Sequence, residues 1–299
     1  MTSAAAEPRS VRFGPGAEDA YDAWLPESGR ADATVVLVHG GLWLAAYDRA
    51  HLRPLGGALA RDGWPVASVE YARVGMPRGG WPGTGTSVLA ALDAVAQDPV
   101  LPGRLVLVGH SAGGQLAVWA ASNGRALGSV DLVGVISLAG VLDLRSADAD
   151  DLGFGAVRGL LGGAPEQHPE QWADADPVRG RLDVPAVLLH GVDDDLVPAA
   201  ISRSYLDSRG PRDASCRLEV MSGCEHFGLI DPMHAAYQRL LAALVELTGR
   251  GPVAGSATSG ALRLVGLGGL AVLTATLLQL LPVTGLPGSD LAVIGIGAG

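Results

Sequence analysis

The chain predicts an α/β fold, a doubly wound and mostly parallel sheet, on three observations. Short runs rich in Val, Ile and Leu recur between residues 33 and 221 without polar alternation, the pattern of strands covered on both faces. Helical apolar spacing separates most of these runs, as parallel strands need crossovers. Glycine clusters follow several runs, at the sheet edge where ligand sites form in open α/β folds. A length of 299 residues with 48% hydrophobic content supports one large domain plus an extension.

Residues 1–32 are rich in Gly, Pro, Ala and acids, with Val11–Phe13 and Tyr21–Leu25 as candidate short edge strands. Met1–Ser10 is polar and lacks the apolar core of a secretory signal, so a cytoplasmic location is expected. Ala33–Val38 is the first buried strand and runs into His39-Gly40-Gly41-Leu42-Trp43. Tyr47–Asp62 has helical spacing, with Leu52, Leu55, Leu59 and Ala60 on one side and Gly63 as its stop. Val66–Tyr71 is the next strand, followed by a Gly/Pro-rich loop over Gly75–Gly85 and a helix over Thr86–Gln97. Leu105–Val108 and Leu132–Leu138 read as strands, with a helix over Gly114–Ser122 between them.

From about residue 140 to 181 the rhythm breaks into acid-, Gly- and Pro-rich sequence, with one helix expected at Phe154–Leu161. An insertion this long reads as a cap or lid, or as an ordinary surface excursion. Ala186–Leu189 resumes the sheet, Ala199–Asp207 is helical, Cys216–Met221 is the last strand and Asp231–Thr248 the closing helix. The α/β domain is therefore expected over 33–248, with a flexible linker at 249–260 and a hydrophobic extension over 261–299.

Composition excludes several function classes. A net charge of −10 with no basic run argues against nucleic acid as a partner. All 21 cationic side chains are arginine, which rules out a P-loop lysine, a pyridoxal Schiff base and a Ser–Lys catalytic pair. Cys216 and Cys224 form neither a disulfide framework nor a metal-binding spacing, and no metal or cofactor is expected.

The chemistry centres on Arg104–Gly114, RLVLVGHSAGG. Its G-x-S-x-G lies between a buried strand and a helix, the setting of a nucleophile elbow, and makes Ser111 the candidate nucleophile. A serine nucleophile needs a base, the base an orienting acid, and the tetrahedral intermediate N–H donors. His39, His110 and His190 abut strand ends, but His226 follows the last strand and obeys the Ser…Asp…His order, so it is the candidate base. The acid lies in Asp193-Asp194-Asp195, since three unpaired carboxylates cannot all be buried. The spacing H-G-x-x-D-x-x-V-P selects Asp194, with Asp193 as the alternative. Gly40, Gly41 and Ala112 are the candidate oxyanion-hole donors. Trp43 and Trp81 are candidate substrate-binding residues, as is Trp119, each with core packing as the competing reading.

With HGGLW, GHSAGG, HGVDDDLVP and EHFGLIDP in order, the chain resembles the bacterial α/β-hydrolase superfamily over roughly residues 33–248. It looks most like esterase/lipase-type proteins related to kynurenine formamidase and the hormone-sensitive-lipase group. Gly80-Trp81-Pro82 and Gly159–Trp172 are similar to the same subgroup. The resemblance implies an α/β-hydrolase fold with a small cap and a serine hydrolase of small-molecule esters, with no metal or cofactor. It puts nucleophile, acid and base on Ser111, Asp194 and His226, and the oxyanion donors on Gly40, Gly41 and Ala112. Leu42 stands where hormone-sensitive-lipase relatives carry a third glycine, and H-G-G-x-W is closer to formamidases. Hydrolysis of N-formyl amides is therefore the first alternative, and a non-catalytic ligand-binding module on the same scaffold the second.

Leu264–Val283 is twenty residues without a charge, long enough to span a membrane. Arg250 and Arg263 before it and Asp290 after it would tether the domain to the cytoplasmic face. A core-packed or membrane-surface helix is the alternative. Leu281–Gly285 also resembles the L-P-x-T-G sorting signal of Gram-positive surface proteins, but residues 291–299 lack the long apolar span and basic tail of that signal.

Overall fold

The computed structural model describes residues 7–123, 127–128, 130–249 and 251. Eight strands form one sheet: β1 (Arg9–Arg12), β2 (Ala20–Trp24), β3 (Thr34–Val38), β4 (Val66–Val69), β5 (Arg104–His110), β6 (Asp131–Leu138), β7 (Ala186–Gly191) and β8 (Cys216–Met221). Their order is β1-β2-β4-β3-β5-β6-β7-β8. The β1–β2 and β2–β4 pairs are antiparallel, and all pairs from β4 to β8 are parallel. The two early strands were both expected at an edge. Only β1 is one, because β2 pairs with β4 on its other side.

The parallel strands carry apolar residues without alternation because successive side chains enter different cores. Val36, Val38, Leu105, Leu107 and Leu188 pack into one layer, with α2 (Gly83–Ala96), α3 (Ala112–Ala121) and α7 (Ala199–Asp207). Val35, Leu37, Val106, Val108, Val187 and Leu189 pack into the other, with α1 (Arg53–Arg61) and α8 (Ala236–Thr248).

Helix boundaries follow local chemistry more closely than apolar spacing does. The expected helix from Tyr47 begins as a 3-10 turn over Arg49–Leu52, where Asp48 accepts the Ala50 N–H, and becomes α1 at Arg53 with Pro54 in its first turn. Gly63, at φ 91°, turns the chain toward β4. α8 starts at Ala236, five residues later than expected, because Asp231 closes a separate turn with Met233 and His234.

Between β6 and β7 there are three short helices, α4 (Leu144–Ala149), α5 (Ala156–Leu161) and α6 (Pro169–Ala175). Only α5 was anticipated. α4 and α6 span six and seven residues, too short for a periodic signal to emerge from acid-rich sequence. This segment is integral to the core: Leu144, Ala147, Val157, Leu160, Leu161 and Trp172 all join the α2/α3 layer.

The candidate membrane segment 264–283 and the sorting-like run 281–285 lie outside the described residues, as does most of the expected linker. Among the described residues no helix is long and apolar enough to cross a membrane.

Candidate active site

Ser111 joins β5 directly to α3 with φ 56° and ψ −122°, a strained backbone for a residue with a Cβ. The elbow is pinned from both sides. The Ser111 N–H donates to the Leu138 carbonyl of β6 at 2.9 Å, and the Gly114 N–H donates back to the Ser111 carbonyl at 2.9 Å. Its tight radius requires glycine at two points. A Cβ on Gly109 would lie 2.1 Å from the Gly113 carbonyl oxygen, and one on Gly113 would lie 2.1 Å from that of Val38. Both obstacles are backbone and cannot rotate away. Gly113→Ala is therefore expected to cost about 1–3 kcal/mol through overpacking, read as a shifted midpoint in chemical denaturation.

Asp194 and His226 come together from separate loops after β7 and β8. His226 Nδ1 lies 2.7 Å from Asp194 Oδ2, while Asp194 Oδ1 accepts the N–H groups of Leu196 at 3.0 Å and Val197 at 2.8 Å. Burial pushes this carboxyl up, but hydrogen bonds from His190, His226 and the Val197 N–H hold it well below the usual carboxylate range. Asp193 and Asp195 are exposed, so the pairing falls on the residue that the spacing selects. His190 braces the arrangement: its Nδ1 is 2.8 Å from Ser202 Oγ, and its Nε2 is 2.7 Å from the Val197 carbonyl and 3.5 Å from Asp194 Oδ2.

His110 links the two: it precedes Ser111 in the chain, and its ring centroid is 4.6 Å from that of His226. No hydrogen bond joins Ser111 Oγ to His226 Nε2 among the described residues.

The loop after β3 also approaches the serine. A Cβ on Gly40 would come 3.0 Å from Ser111 Cβ, and Gly41, Leu42 and Trp43 all have positive φ, at 107°, 55° and 57°. His39 anchors this strained turn: Nδ1 is 2.7 Å from the Gly40 carbonyl and Nε2 is 2.7 Å from Glu70 Oε1. Tyr71 stacks on the His39 ring at 4.2 Å and donates its hydroxyl to the His39 carbonyl at 2.9 Å. Burial raises the Glu70 carboxyl, but His39, Arg73 and the Arg49 N–H bring it below its ordinary value. Sequence reasoning missed Glu70. Its signal was an acid directly after a largely apolar strand, at the site edge of the sheet.

For Trp43 the structure shows the packing contacts that competed with a substrate-binding role. Trp43 is only 1% exposed and belongs to the core, with its indole N–H donating to Gln115 Oε1 at 3.0 Å. Trp81 is half-buried; its indole N–H donates to Asp174 Oδ2 at 2.7 Å and its ring meets Trp119 edge-on at 4.7 Å. Two other aromatics are exposed on the neighbouring loops. Phe227, 56% exposed, lies 5.3 Å from the His226 ring, and Tyr47, 49% exposed, packs against Gly41. Both adjoin motifs, four residues past HGGLW and directly after His226, which is the cue that sequence reading passed over.

Residues 21–208, more than half of the chain, match the model of the BD-FAE family. The chain belongs to the BD-FAE family. The BD-FAE match runs from β2 through α7, so it includes Ser111, the Gly40–Gly41 turn and Asp194 and ends before His226. Esterase LipQ of Mycobacterium tuberculosis is 27% identical over 234 residues, covering 70% of this chain and 54% of LipQ. The chain thus spans about half the length of that curated relative. A truncated carbohydrate esterase from gut microbiota superposes with a TM-score of 0.69 at 18% identity, covering 83% of this chain and 99% of the other. An esterase of Thermogutta terrifontis, Est2, solved with propionate bound, gives 0.63 at 20% identity, covering 84% and 97%. These structures share their α/β fold with this BD-FAE member.

Proposed function

We propose that the protein is a serine hydrolase of carboxylic esters with short or medium acyl groups. The observation that carries this reading is the strained Ser111 elbow beside a buried His226–Asp194 pair at 2.7 Å. Ser111 Oγ attacks the ester carbonyl as His226 Nε2 takes its proton, and Asp194 holds the imidazole in orientation and stabilises its cationic form. The N–H of Ala112, at the start of α3, and those of the Gly40–Gly41 turn stabilise the oxyanion. The carbon–oxygen bond to the alcohol then breaks as His226 returns the proton to the leaving oxygen. Water, deprotonated by the same imidazole, attacks the acyl-enzyme and releases the acid and free Ser111.

The relatives named above are esterases, and Est2 was solved with the three-carbon acid propionate, which supports small acyl groups here. The same groups suit attack on an N-formyl amide, but these relatives favour the ester. The distinction is tested by a p-nitrophenyl ester series of increasing acyl length run beside N-formylkynurenine. A maximum kcat/KM at two to four acyl carbons, about tenfold or more above N-formylkynurenine, is expected. A preference for the formamide overturns the ester assignment, and binding of these compounds without turnover favours a non-catalytic module. Phe227 lies against His226 and Tyr47 against Gly41, and both are exposed. Phe227→Ala is expected to raise KM for aryl esters about three- to tenfold with little change in kcat, in steady-state kinetics.

A further inference from the structure

His226 is held at two points, and only one of them belongs to the triad. Its side chain is tied to Asp194. Its main-chain carbonyl is 3.1 Å from His110 Nε2, a buried contact between the end of β5 and the loop after β8, 116 residues apart in sequence. A carbonyl only accepts, so His110 donates from Nε2–H. The other ring nitrogen, Nδ1, is buried without a hydrogen-bond partner among the described residues. It faces the Gly40 turn, where a Cβ on Gly40 would lie 3.1 Å away. A proton on Nδ1 would therefore be an unsolvated charge with no acceptor. Burial, then the nearby His226, push His110 down to about 3.

The histidine next to the serine is therefore a neutral, single-tautomer donor whose ring packs 4.6 Å from His226 and 5.9 Å from Phe227. We propose that His110 is a positioning residue. Its Nε2–H fixes the backbone that carries His226, and its uncharged ring forms a wall against which the His226 imidazole turns toward Ser111. The wall has to be uncharged. A second imidazolium at this distance would oppose the charge that His226 acquires during attack. This assignment rests on His226 acting as the base, as proposed above.

Three substitutions separate donation from packing. His110→Phe keeps the ring and loses the donor. Gln places its amide nitrogen near the Nε2 position and Asn near Nδ1, so His110→Gln keeps the bond and His110→Asn does not. His110→Phe is expected to lose about ten- to a hundredfold in kcat with KM within about twofold of wild type, the signature of a misplaced catalytic group. His110→Gln should recover to within about threefold of wild type and His110→Asn should not. The deshielded Nδ1 proton of His226 in the NMR spectrum should persist in His110→Gln and broaden or vanish in His110→Phe. Equal activity of the Asn and Gln variants overturns the proposal, even if the Phe variant fails to fold. An unchanged His226 resonance in folded His110→Phe also overturns it. That comparison needs no turnover, so it decides the role of His110 even if the wild type hydrolyses no ester. Absence of wild-type turnover itself counts against the ester reading alone.

Discussion

Replacing Ser111 by alanine is expected to lower kcat for a short p-nitrophenyl ester by about 10⁴- to 10⁶-fold, because attack, proton transfer and acyl-enzyme formation all pass through its Oγ. The fold should survive, since alanine fits the same space. Stability should part from activity in Ser111→Gly. The serine is held at φ 56° and ψ −122°, and this backbone costs a residue with a Cβ about 1–3 kcal/mol, which glycine largely avoids. Ser111→Gly is thus expected to be inactive and yet about 1 kcal/mol more stable than Ser111→Ala in urea denaturation. Equal stability of the two variants would mean that the elbow stores no strain.

The second large effect is expected at Asp194. Asp194→Asn keeps the size of the side chain but offers His226 an amide in place of a carboxylate, and kcat should fall about 10³- to 10⁴-fold with KM little changed. The same substitution removes a pH-dependent contribution to stability. The folded-state carboxyl lies below its ordinary value, so its pairing stabilises the fold in full above about pH 4, the unfolded value, and is lost as pH falls through the folded one. The Tm gap between wild type and Asp194→Asn should therefore be widest near neutrality and close only in strong acid. A gap that disappears at mildly acidic pH contradicts the depressed carboxyl.

The Ser111 elbow and the Asp194–His226 pair were legible in sequence because their constraints are local. An elbow needs small residues at fixed offsets, and strand ends mark the edge where a site forms. The supporting groups were not legible, because their roles depend on contacts far apart in the chain. Glu70 meets His39 from 31 residues away, and His110 meets the His226 carbonyl from 116. The place of Trp43 beside HGG left a pocket wall and core packing both open in the sequence. The positive φ values of that turn instead accompany a ring lodged in the core against Gln115. The short helices α4 and α6 escaped for a different reason, since six or seven residues hold too few turns to show a period.

The central claim is that Ser111 is an activated nucleophile served by His226 and Asp194. It is tested most directly by reacting the folded protein with a fluorophosphonate and mapping the adduct by mass spectrometry. One stoichiometric adduct is expected on Ser111, absent from Ser111→Ala and formed much more slowly in Asp194→Asn. A folded wild-type protein that stays unlabelled, or is labelled elsewhere, contradicts it.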